Sequence, residues 1–156
     1  RVDRTRTTTW INNATSNVWP KGAYKAYVRW YLPKEAFLDD LTVNGVSVFG
    51  QSSRVYFEHD RLVIATAIEV NTQSSVVAEL KYHFSFDLAK QAAYVFTDQN
   101  QSGKILNQYQ ATLSHPQSFR PSKITPQGNF ANSQATFVFG PEETRIVGIE
   151  FNSIAP

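Results

Sequence analysis

The chain contains no cysteine and no methionine. Without cysteine there can be no disulfide, no thiolate metal site and no cysteine nucleophile. That absence leaves the compartment open, because many exported bacterial domains also lack disulfides. Charge is sparse as well: 15 Lys and Arg against 13 Asp and Glu give a formal net charge of +2. The basic residues are scattered, with no three in a row, so the electrostatic case for nucleic acid is poor. No apolar run approaches the roughly 18 residues of a membrane span, and no leader pattern is present. A chain opening at Arg1 and lacking methionine reads as a piece of a longer protein, whose other segments would carry any targeting signal or anchor.

What is present is aromatic and β-branched. At 156 residues with 42% hydrophobic and 13% aromatic content, the chain has enough apolar side chains for one globular domain, 1–156. The stretch Gly22–Pro33, GAYKAYVRWYLP, splits by parity. Tyr24, Ala26, Val28, Trp30 and Leu32 fall on one face, and Lys25, Tyr27, Arg29 and Tyr31 on the other. One apolar face opposite an amphipathic one is the pattern of a central strand. The clearest alternation lies in Val76–Asp87, where Val76, Ala78, Leu80, Tyr82, Phe84 and Phe86 oppose Val77, Glu79, Lys81, His83, Ser85 and Asp87. A helix would smear these charges around its surface, so the period of two decides for strand.

Further strands are expected at Arg1–Asn13, where Thr5, Thr7, Thr9 and Ile11 share a face, and on either side of Asn44-Gly45 within Leu41–Phe49. Asn-Gly between β-branched residues is the strongest short hairpin signal, because a type I′ turn needs φ > 0 at both central positions. Arg54–Glu58 and Arg61–Val70 flank His59-Asp60, with Leu62, Ile64, Thr66, Ile68 and Val70 facing inward. Ala92–Thr97 and Ile105–Leu113 read as a hairpin about DQNQSGK, and Gln134–Phe139 and Thr144–Phe151 close the chain. Ser114–Asn132, spaced by Pro116, Pro121 and Pro126, reads as irregular extended chain crossing between sheets. Pro33–Leu38 and Leu88–Ala93 each have room for a single helical turn. Roughly nine or ten strands with turns between them predict an all-β fold, a two-sheet antiparallel β-sandwich of immunoglobulin-like or jelly-roll-like type. A closed barrel is the alternative, which the long polar crossing disfavours.

Candidate chemistry is thin. His59, His83 and His115 match no zinc-ligand spacing and read as turn or surface histidines. No G-x-S-x-G elbow occurs, which argues against serine hydrolysis. The pairs Asp39-Asp40 and Glu142-Glu143 are adjacent, so on a strand they diverge and cannot flank a glycosidic bond. Asp98-Gln99-Asn100-Gln101-Ser102-Gly103 fits the opening of a calcium loop, but Tyr109 stands where the bidentate glutamate belongs. A hairpin turn selects the same residue types for backbone reasons. The sequons at Asn13 and Asn100 are no more than chance supplies. Trp10, Trp19, Trp30, Tyr27 and Tyr31 are the residues from which a sugar-stacking platform would be drawn, with Arg29 between the two tyrosines. Ordinary cross-strand packing uses the same side chains.

Several of these segments occur together in one order: RVDRTRTTTWINN, WPKGAYKAYVRWYLPKEA, a Y-x-F-x-F-x-L strand, the Gln101-Ser102-Gly103 turn and YQATLSHPQSFRPSKITPQG. The whole resembles the C-terminal β-rich region of the bacterial domain of unknown function 4012 family. Asn100 and Ser102 depart from that family's Lys-Gln-Pro-Gly turn. The resemblance implies a membrane-anchored, extracytoplasmic parent chain and carries over no catalytic residue. The expectation is therefore a non-catalytic structural or adhesive module of a larger bacterial cell-surface protein, with no cofactor and no metal. Its partners would be other domains of the parent chain or cell-surface proteins, with neither nucleic acid nor membrane insertion. The alternative is a carbohydrate-binding module that uses surface aromatics.

Overall fold

The structure, a computed structural model, describes residues 1–18, 21–87, 93–98, 109–115, 120–131, 133–140 and 145–152. Among these residues it is all-β, with thirteen strands, no helix and antiparallel ladders throughout. That exceeds the nine or ten strands expected. The chain divides into two compact units, Arg1–Phe86 and Asp87–Pro156.

In the first unit, β1 (Val2–Asn12), β7 (Ser74–Phe84), β3 (Phe37–Val43) and β4 (Val46–Ser47) form one sheet in that order. A second sheet has the order β2 (Tyr24–Leu32), β6 (Arg61–Val70) and β5 (Ser53–Glu58), so the Gly22–Pro33 stretch expected to be a central strand forms an edge and β6 takes the centre. The period-two reading holds on β7: Val76, Ala78, Leu80, Tyr82 and Phe84 are all buried. On β2 and β6 the apolar faces meet in register, Trp30 beside Ile64 and Leu32 beside Leu62. Strand β6 lies against β7 and β1 of the other sheet. Asn12 fastens the two sheets at one end, its Nδ2 donating to Gly22 O at 2.7 Å and to Val70 O at 3.0 Å.

Both tight turns carry positive φ at both central residues, 50° and 78° at Asn44-Gly45 and 48° and 59° at His59-Asp60. The mirror-image turn matches the strand twist. The helical turn allowed at Pro33–Leu38 is absent. Ala36 N donates to Pro33 O across a short turn, and Phe37 and Leu38 already belong to β3. On β6 the alternation understates burial, since Val63 and Ala65 are also 0% exposed. They are paired with Tyr31 and Arg29 of β2 and with Tyr56 and Arg54 of β5.

The second unit holds two three-stranded sheets. One has the order β10 (Arg120–Thr125), β13 (Arg145–Asn152), β8 (Ala93–Asp98), and the other β11 (Asn129–Ala131), β12 (Gln134–Phe139), β9 (Tyr109–Ser114). Ala135, Phe137, Phe139, Val147 and Ile149 form its core, with Phe96, Tyr109, Leu113 and Ile124 packed against it. Two expectations are corrected here. Among the described residues, the segments on either side of DQNQSGK do not pair with each other: β8 pairs with β13 and β9 with β12. The proline-spaced stretch is not irregular throughout, because it contains β10 and β11. Pro121 is accommodated where β10 has only β13 beside it and the register shifts between Pro121 and Lys123, the setting in which a sheet tolerates proline. Residues 88–92 of the second suggested helical turn lie outside the described residues.

Candidate functional site

Two exposed constellations stand out in the first unit. The first is the face of the β2–β6–β5 sheet turned away from its apolar side. Parity places Lys25, Tyr27, Arg29 and Tyr31 of β2 there, beside Glu69, Ala67, Ala65 and Val63 of β6. Arg54, Tyr56 and Glu58 of β5 continue the face on the far side of β6. Ala65 and Val63 of the middle strand are thus flanked by the longer Arg29 and Tyr31 on one side and Arg54 and Tyr56 on the other. Tyr27 is 57% exposed and Tyr31 44%. Arg29 lies between them, its guanidinium carbon 5.7 Å from the Tyr31 ring centroid.

This face is cross-braced. Arg29 Nη1 donates to Glu58 Oε2 at 3.4 Å, and the Tyr31 hydroxyl reaches Glu58 Oε1 at 3.5 Å. The Arg29 pKa is raised above its ordinary value, first by a hydrogen bond to Tyr56 and then by the charges of Tyr31 and Glu58. Lys25 and Glu69 pair at 3.3 Å along one margin. The charged groups are thus paired with one another, and both tyrosines remain substantially exposed beside them. Such an arrangement can stack a flat apolar surface and donate hydrogen bonds at its edge.

The second constellation is Asp3, Asp39 and His83, one residue from each of three neighbouring strands. Antiparallel pairing sets Asp3 directly opposite His83. On the other side Phe37 is opposite His83, and the register shifts between Leu38 and Asp40. Asp39 is the extra residue of that bulge, and bulges re-aim side chains. It reaches His83 Nδ1 with Oδ1 at 2.7 Å. The Phe37 ring stacks on the imidazole with centroids 5.4 Å apart, holding its plane. Asp3 Oδ1 pairs with Arg1 Nη2 at 2.7 Å. One donor atom from each of the three residues lies within 4.8 Å of the others.

The sequence-derived candidates scatter otherwise. Trp30 is 5% exposed and belongs to the core, so it is unavailable to a sugar platform. Trp10 is half-buried, on the side of β1 opposite Thr9 and Ile11. His59 is an exposed turn residue 3.5 Å from Glu58. His115 sits edge-on to Phe151 with centroids 5.7 Å apart. Asp39 and Asp40 do diverge, Asp40 Oδ1 accepting from Ser47 Oγ at 2.7 Å and from Leu41 N. Trp19, Glu142-Glu143 and residues 99–103 of the calcium-like loop lie outside the described residues. Sequence reasoning missed the grouping of His83 with two carboxylates. The only signal for it is positional: Asp3 near the start of one long alternating strand and His83 near the end of another meet if the two pair end to end.

A scan against protein-family models matches nothing in this chain, and a search among curated proteins finds no match.

Proposed function

We propose that this chain is a non-catalytic adhesive module of a larger, extracytoplasmic bacterial cell-surface protein, folded as β-sandwich layers of immunoglobulin-like or jelly-roll-like type. The outward β2–β6–β5 face is its contact surface. The observation that carries this reading is the exposure of Tyr27 and Tyr31 on one sheet face, with Arg29 paired to Glu58 between them. Rigid aromatics flanking a fixed guanidinium are the side chains that dominate binding energy at protein surfaces. The resemblance to the domain of unknown function 4012 family supports the cell-surface setting. Partners would be neighbouring domains of the parent chain or other surface proteins.

The test is retention of the purified chain on whole bacterial envelopes, with Tyr27→Ala and Tyr31→Ala as the variants. Both side chains are exposed, so far-UV circular dichroism is expected to stay unchanged while binding weakens by at least about tenfold for each. Wild-type binding that survives both substitutions removes this face from the proposal.

A second reading, glycan recognition by the same face, is favoured by the spacing of Tyr27 and Tyr31 on alternate outward positions of β2. A glycan array separates the two: saturable binding to one glycan class, lost in Tyr27→Ala, selects the sugar. Because Trp30 is buried, the matching solution readout is the chemical shift of the tyrosine rings rather than tryptophan emission.

A further inference from the structure

The Asp3–Asp39–His83 group invites a different question, and its answer does not depend on the adhesive reading. Two carboxylates and an imidazole come together from three strands that are far apart in sequence. They are placed by backbone features: the Asp3–His83 pairing and the bulge that delivers Asp39. The imidazole plane is fixed from one side by Phe37. These are rigid sheet positions, which hold a ligand set more closely than a loop does.

We propose that Asp3, Asp39 and His83 form a binding site for a first-row divalent transition metal of the zinc class. The donor set decides the class. One imidazole nitrogen and two carboxylate oxygens suit zinc and its neighbours, whereas calcium and magnesium want six or more oxygen ligands or a retained water shell. Ligand atoms about 2.0–2.1 Å from a common zinc stand roughly 3.3 Å apart in a tetrahedron. The three donors here lie within 4.8 Å of one another, so small side-chain rotations close the site. The side chains have the freedom to rotate, being 66%, 39% and 25% exposed for Asp3, Asp39 and His83. Arg1 now occupies Asp3 at 2.7 Å, and the metal takes over that charge when Arg1 swings into solvent. The hydrogen bond between Asp39 and His83 is exchanged for two bonds to the ion. A water completes the fourth position.

The experiment is isothermal titration of the full chain, stripped with chelator, with zinc chloride and separately with magnesium and calcium chloride. One zinc per chain with a micromolar dissociation constant is expected, with no heat from either alkaline-earth ion at the same concentrations. Asp39→Asn and His83→Ala are each expected to weaken zinc binding by at least about tenfold, and His59→Ala to leave it unchanged. Nuclear magnetic resonance supplies the second readout: zinc should shift the His83 ring signals first. Asp39→Asn keeps the shape of the side chain, so it reports on binding even if His83→Ala disturbs the sheet. Absence of zinc uptake overturns the proposal. So does uptake that survives Asp39→Asn and His83→Ala, or that shifts His59 or His115 in place of His83.

Discussion

Gly128 in the second unit shows how narrowly a single position can be fitted. A Cβ added there would stand 2.9 Å from Cδ1 and Cε1 of Phe137 and 3.0 Å from the Thr136 carbonyl oxygen. Phe137 is 2% exposed and stacks with Phe139 at 6.5 Å, so its ring has little room to retreat. The glycine is required here for close approach of backbone to ring, and no unusual φ enters the argument. Gly128→Ala is therefore an overpacking change, expected to destabilise the chain by about 1–3 kcal/mol. The check is the urea midpoint of the variant at an unchanged m-value. An unaltered midpoint would mean that the Phe137 ring moves freely. Arg29 illustrates the opposite case, a residue set by partners on three positions of a surface. Its raised pKa reflects Tyr56 first, then Tyr31 and Glu58, so its charge is supported by neighbours on β2 and β5.

At the scale of elements, the β3–β4 hairpin is held by its turn. Asn44 and Gly45 both adopt positive φ, where asparagine and glycine are the two residues least penalised. The Asn44 amide also reaches sideways onto the neighbouring strand. Its backbone N donates to Val77 O at 2.8 Å, and its side-chain Oδ1 accepts from Val77 N at 2.9 Å. Asn44→Ala loses both the tolerated conformation and one hydrogen bond, which together amount to about 2 kcal/mol. Chemical denaturation should show that loss, and faster amide exchange at Val77 should accompany it. Asn44-Gly45 was legible because a turn of this type is dictated by residues adjacent in sequence. The same holds for β7, whose Val76 to Phe84 alternation needs no partner to be read. Pairings between distant segments were not legible. Nothing local in Ala93–Asp98 says that it will join β13 rather than β9, and nothing in Asp3 announces His83. The two strands in the proline-spaced stretch are hidden because proline, which lacks a backbone N–H, ordinarily interrupts a ladder. A shifted register in a strand with one neighbour accommodates it. Burial of Val63 and Ala65 is equally hidden, since it depends on the strands paired on either side of β6.

For the molecule as a whole, the first unit carries what a folding unit requires. Its seven strands find their ladder partners within 1–86, in sheets of order β1-β7-β3-β4 and β2-β6-β5. Its interior holds Trp30, Leu32, Leu41, Ile64, Ile68, Val70, Ala78 and Leu80, each no more than 5% exposed. Asn12 then bonds to Gly22 and Val70 from the end of β1, joining the two sheets. Both the tyrosine face and the Asp3–Asp39–His83 group belong to this part of the chain, so their geometry should survive its isolation. A fragment spanning 1–86 is expected to give a β-type circular dichroism spectrum and a single cooperative urea transition. Its m-value should be smaller than that of the full chain, in keeping with the smaller surface exposed on unfolding. A chain of this length lies above the size at which a core usually needs disulfides, and its stability should be about 4–13 kcal/mol. A random-coil spectrum from the fragment would show that the first unit depends on the rest of the chain. A cooperative transition would make the fragment the natural vehicle for mapping what the tyrosine face binds.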